Sequence, residues 1–211
     1  MPKTPLTILL FCFVLLTACN RGHGSATSKR EMSAAEYEVL SAWVDARFTN
    51  GDRVGKSISK IVIFDTTSGD AHLQWEDNGR PIPWEKQAAS LREKDPALQQ
   101  TTTDDYGKVN IEQAFLRQSL SCRFNYEVAS SAQLEPFFKK GAGSWMAYYK
   151  QFPNSQGVLT FSQVGFSKDR TQAMFYYSNV CGGLCGGGSY VVMNKHNGSW
   201  IIEKEIDMWV S

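Results

Sequence analysis

Alternation of apolar and polar residues is most regular in the last third of the chain. From Thr171 to Val180, Ala173, Phe175 and Tyr177 fall on one face while Met174, Tyr176 and Val180 fall on the other. Tyr190-Val191-Val192-Met193 has the same strand-forming character. With period-2 flanks, this predicts strands at about 158–166, 172–180, 188–194 and 199–209. Their connections would be Ser167-Lys168-Asp169-Arg170, a loop built from Asn179–Gly188, and His196-Asn197-Gly198. Asn-Gly is a strong short-range hairpin signal. A four-stranded antiparallel meander follows.

The first two thirds read as helices with scattered strands. Ser33-Ala34-Ala35-Glu36 is a capping box, since Ser33 accepts a backbone N–H and Glu36 reaches back. Tyr37, Leu40, Val44 and Phe48 follow at helical spacing, so a helix is expected over 34–49, stopped by Asn50-Gly51. Trp43 and Asp45 lie off that stripe, which predicts surface positions. Residues 60–66 read as a strand, with His72–Trp75 as its hairpin partner across 67–70. Further along, the pattern predicts a helix at 84–94, a surface loop at 101–105, a helix over 111–120 and a strand over 121–129. The second capping box, Ser130-x-x-Gln133, opens a short helix through Phe138, and Ser144 caps another that carries Trp145, Tyr148, Tyr149 and Phe152. Together these elements make one α+β domain over 33–211, with N-terminal helices packed on a curved antiparallel sheet. Its helix-then-meander order resembles the cone-shaped folds of the nuclear-transport-factor-2 type, a likeness of architecture that implies no activity.

The N-terminus carries Lys3, an apolar run of 11 residues from Leu6 to Leu16, and then Leu16-Thr17-Ala18-Cys19. A run of this length suits an export signal and falls short of the roughly 20 residues of a membrane-spanning helix. An aliphatic residue, two small residues and a cysteine resemble the signal of bacterial lipoproteins. That resemblance implies cleavage after residue 18, a diacylglyceryl thioether on Cys19 and an acylated amino group. It also implies attachment to the lipid bilayer, since more than one buried chain holds stably. Because Asn20 is not aspartate, the sorting pattern of such lipoproteins implies the outer membrane, facing the periplasm. Residues 19–32 are polar and read as a flexible tether, with His23 as a solvated spacer residue. The carboxy-terminal pattern is also similar to that of uncharacterised bacterial lipoproteins.

Composition narrows the function classes. The formal net charge is +1 and basic residues form no long cluster, which disfavours nucleic acid as a partner. Without residues 1–18 the chain keeps 193 residues, enough for one domain with a real core. Once Cys12 leaves with the signal and Cys19 with the lipid, Cys122, Cys181 and Cys185 remain. In an oxidising compartment they favour a Cys181–Cys185 bridge first, and Cys122 with either partner second.

Ten positions, Asn179–Gly188, hold two cysteines and five glycines. The first reading of this segment is structural, a long hairpin loop pinned by a small disulfide. A second makes Gly182, Gly183, Gly186 and Gly187 a ligand loop whose N–H groups form an anion nest. A third uses Cys181 and Cys185 with His196 or a methionine for thiol-redox or copper chemistry, similar to thioredoxin-fold copper chaperones. That family's motif opens a helix, whereas strands flank it here.

Weaker candidates are an Asp65–His72 acid–base pair, Asp104 with Asp105 for a cation, His196 in its tight turn, and Cys122 as buried packing. There is no Gly-x-Ser-x-Gly, His-Glu-x-x-His or nucleotide fingerprint. The expectation is a non-enzymatic envelope lipoprotein without a cofactor, binding a protein or small-molecule partner.

Overall fold

The structure is a computed structural model that describes residues 30–49, 58–68, 79–139 and 144–211. The signal segment, Cys19, His23, the Asn50-Gly51 stop and the 72–75 strand with His72 lie outside the described residues. Among those described, no helix is long and apolar enough to cross a membrane.

The fold is α+β, with a short two-stranded ladder beside a mixed seven-stranded sheet. β1 (Arg30–Glu31) pairs in parallel with β3 (Ala114–Phe115). The large sheet contains β2 (Lys60–Phe64), β4 (Tyr126–Ala129), β5 (Ser155–Phe161), β6 (Gly165–Phe166), β7 (Gln172–Gly182), β8 (Cys185–His196) and β9 (Ser199–Val210). Its order is β4-β2-β5-β7-β8-β9, with β6 also on β7. β5, β7, β8 and β9 pair antiparallel, which is the expected meander. β2 pairs in parallel with both β4 and β5. With parallel neighbours on both edges of β2, the sheet is mixed rather than wholly antiparallel.

Period-2 alternation splits the core by face. Ile61, Ile63, Leu159, Phe161, Phe175 and Val191 turn to α1 (Ala34–Val44) on one side. On the other, Met174, Tyr176, Tyr190 and Val192 turn to α2 (Trp84–Lys94) and α3 (Gln100–Val109). Val62 and Ala129, also on that side, pack under α4 (Ser131–Phe138) and α5 (Trp145–Gln151). Each large apolar side chain fully buried in these layers contributes about 1.5–3 kcal/mol. In β9 the register slips at Glu203, so Trp200 and Ile202 face α1 while Ile206 faces α2 and α3. An extra residue reverses the faces beyond it.

Both capping boxes and the Ser144 cap form as expected. α1 continues as a π-helical turn over Asp45–Thr49. Trp43 is not a surface residue: it is fully buried and its ring meets Phe48, Phe161, Phe175 and Tyr177 at 4.5–5.8 Å. The stripe is wider than the spacing predicted, because Val39 and Trp43 lie beside Leu40 and Val44 over the middle of the sheet. Its indole N–H donates to Glu205 Oε1 at 3.4 Å, and Arg47 holds the other oxygen at 3.0 Å. Asp45 is half-buried.

Two further expectations fail for tertiary reasons. Residues 101–105 belong to α3, whose start is held by the buried Gln172 amide. Gln172 Oε1 accepts from Gln99 N at 2.8 Å and from Thr102 Oγ1 at 3.0 Å. Residues 111–120 are not helical: Ala114–Phe115 form β3 and the rest is turn and irregular chain. Their backbone groups are spent elsewhere: Thr67 N donates to Ala114 O at 2.9 Å, Leu116 N to Asp65 O at 2.8 Å and Met32 N to Phe115 O at 3.1 Å. Such long-range partners override helix propensity. Only 126–129 of the expected 121–129 strand is paired, and the Gln118 amide covers its outer edge through Val128 N and Tyr126 O.

Candidate functional site

The glycine segment is strand rather than loop. β7 runs through Gly182 and β8 begins at Cys185, leaving Gly183-Leu184 as a two-residue turn. Cys181 and Cys185 are joined by a disulfide with their Cα atoms 5.0 Å apart. Gly182 pairs with Cys185, and Gly187 is paired on both sides, to Asn179 and Val210. Of the four glycines of the ligand-loop reading, Gly183 alone stands in the turn.

The reason for so many glycines lies in a neighbour 21 residues on. A Cβ on Gly188 would collide with Tyr176 Oη and Trp209 Nε1, and one on Gly186 would stand 3.2 Å from Trp209 Cζ3. The two glycines leave a slot in which the indole of Trp209 lies. Trp209 Nε1 donates to Tyr176 Oη at 2.7 Å. Gly157 makes room in the same way for the β7 backbone at Val180 and Cys181, and its φ of +99° suits glycine. From the helical layer, Tyr149 Oη donates to Cys181 O at 2.8 Å.

Beneath Trp209 lies a layer of phenols. Tyr176 and Tyr190 are 5.4 Å apart, Tyr190 and Tyr106 5.7 Å, and Tyr106 and Trp84 4.8 Å between ring centroids. Burial pushes all three phenols up from their ordinary range. They are neutral donors and acceptors near pH 7. Sequence reasoning singled out the thiols and four of the glycines. It missed Trp209, Gly188 and Tyr149, whose meeting has no local signal.

Other candidates separate in space. Cys185 and His196 stand at opposite ends of β8, roughly 36 Å apart at about 3.3 Å per residue. Asp65, at the end of β2, accepts from Thr66 Oγ1 at 3.0 Å, and its proposed partner His72 lies outside the described residues. Asp105 Oδ2 accepts from Phe166 N at 2.8 Å, tying α3 to β6, while Asp104 is exposed. Among the described residues, no group of three or more His, Cys, Asp or Glu side chains could hold a metal ion. Cys122 is a half-buried free thiol whose Sγ donates to Phe124 O at 3.4 Å; burial, then the charge of Asp45, push its pKa up. Both effects disfavour the nucleophilic thiolate.

A groove of ≈ 710 Å³ runs along the outer face of α1, with Tyr37, Ser41, Asp45, Ser121, Ser199 and Trp200 in its lining. Its carboxylates are engaged: Glu38 pairs with Lys195 at 3.0 Å, and Asp45 accepts from Arg123 N at 2.6 Å. It offers hydroxyls to a small polar ligand and holds no acid–base pair. A scan against protein-family models finds no match, and neither the curated proteins nor the solved structures give a significant one.

Proposed function

We propose that this chain is an exported lipoprotein, anchored in a bilayer through an acylated Cys19 and facing the periplasm from the outer membrane. Its folded domain binds a protein or small-molecule partner without catalysing a reaction. The Cys181–Cys185 bridge at an exposed hairpin end carries this reading. Cys185 is open to solvent, and a bridge so accessible suits a compartment where thiols are oxidised. The Leu16-Thr17-Ala18-Cys19 motif supports the same placement. Intact mass of the purified protein, before and after reduction, tests both parts. The expected species begins at an acylated Cys19 and gains two hydrogens on reduction. A precursor that keeps its leader and has every thiol free would overturn the proposal.

Exposure of Cys185 also favours a second reading, in which the reduced pair handles copper or exchanges disulfides. His196 takes no part in it, given the length of β8. Copper titration of the reduced protein tests the metal branch of this reading, and absence of binding removes it.

A further inference from the structure

We propose that the disulfide-closed hairpin end, together with the apolar surface of α4 and α5 beside it, docks the domain onto a bilayer containing anionic lipid. The proposal rests on the lipid-anchored reading in one respect, that a bilayer is within reach. The eleven residues from Cys19 to Lys29 bound that reach at roughly 40 Å of extended chain.

The surface is apolar, with a two-residue turn at its tip. Leu184 is 91% exposed at the tip, Val210 82% on β9 and Met146 83% on α5. Val180, Trp209 and Phe138 are also exposed. Continuity between helices and hairpin comes from the bond of Tyr149 to Cys181 O and from Trp145, whose ring lies 5.9 Å from Tyr149 and 4.9 Å from Phe138. A ligand pocket is concave. A protruding two-residue turn needs a partner that deforms around it, as acyl chains and headgroups do.

Charge selects the occupant. From Thr171 to Asn194 there is no charged side chain, so the hairpin end can leave water without stripping an ion of its hydration. From the start of α4 at Ser131 to Asn194 the acidic residues are two: Glu135, exposed on α4 one turn before Phe138, and Asp169, which sits at the other end of β7, bound to Ser167 and Thr171. α4 and α5 are followed or ended by cations, Lys139 and Lys150, placed to meet anionic headgroups. The nearest acid on β9, Asp207, lies on the face that Val210 shares and is engaged there, accepting from Ser189 Oγ at 2.8 Å. Trp209 completes the match: its N–H is already bonded to Tyr176, so the indole enters the interface with no donor left bare.

The test uses the mature protein reconstituted in phosphatidylethanolamine–phosphatidylglycerol vesicles, with plain or brominated acyl chains. Leu184→Trp places an indole at the tip, and Ile201→Trp places one at the far end of the meander. After subtraction of the unmodified protein's emission, the Leu184→Trp signal should be lost in brominated vesicles and the Ile201→Trp signal kept. Equal emission of Leu184→Trp in plain and brominated vesicles overturns the docking. Equal quenching in purely zwitterionic vesicles overturns the choice of anionic lipid. The mass of the same sample separates the two proposals. An acylated chain with an unquenched tip keeps the anchor and loses the docking, while an unacylated chain with a quenched tip does the reverse.

Discussion

Replacing Cys181 and Cys185 together by serine opens a ring whose ends are four residues apart in sequence. For a loop this short, the chain-entropy relation gives about 2 kcal/mol of stabilisation through the unfolded state. Nothing else at the site depends on the bridge. The Val180–Gly186 and Asn179–Gly187 pairs belong to the ladder, and Trp209 holds its slot through Tyr176. The folded state is therefore expected to survive with the same cooperativity. A domain of this size has an unfolding entropy of about 0.4 kcal/mol/K, so the melting temperature should fall by about 5 °C. Calorimetry of the double variant, and of the unmodified protein with and without reductant, measures this; Cys122 is already a free thiol, so both routes should agree. An unchanged melting temperature would refute the chain-entropy reasoning. A fall several times larger, or loss of the cooperative transition, would refute the independence of the ladder from its bridge.

Gly188→Ala forces a Cβ into Tyr176 and Trp209 and should cost about 2 kcal/mol. Gly183→Ala meets open space and should stay within about 0.5 kcal/mol, and urea unfolding of the two variants reads the contrast. Glu36 is a buried carboxylate that accepts from Ser33 N at 2.7 Å and from Arg30 at 2.9 and 3.0 Å. Glu36→Ala should cost about 3 kcal/mol, the low end for breaking a buried pair because Arg30 can return to water; equal urea midpoints for variant and parent would contradict this. Burial pushes Tyr148 up to about 12 and raises Tyr106 and Tyr190 as well. A raised folded-state pKa stabilises fully below the unfolded value near 10 and is lost as pH climbs through the folded one. Stability should therefore fall above about pH 10, with these phenols ionising only on unfolding. Absorbance at the phenolate band checks this, and eight tyrosines titrating together near their ordinary value in the folded protein would contradict it.

Sequence alone determined the elements whose signals are local. Alternation placed β7 and β8 and assigned Ala173, Phe175 and Tyr177 to one face, because a strand's side-chain period needs no partner to be read. Hydroxyl-to-backbone caps at Ser33, Ser130 and Ser144 fixed three helix starts, since both groups lie within three residues of each other. The thiol pairing was legible for the same reason of proximity. Tertiary structure decided everything that depends on a distant partner. It kept 111–120 from forming a helix by giving its backbone groups to residues 32, 65 and 67, and it turned Thr102 and Thr103 into helix through Gln172 and the packing of α3. It also buried Trp43 by laying α1 across the sheet, and set β2 between two parallel neighbours. The glycines show the division most sharply. Their run is plain in the sequence, but that Gly186 and Gly188 exist to seat an indole from β9 follows only when β9 closes against β8, because steric exclusion acts between residues that chain order keeps far apart.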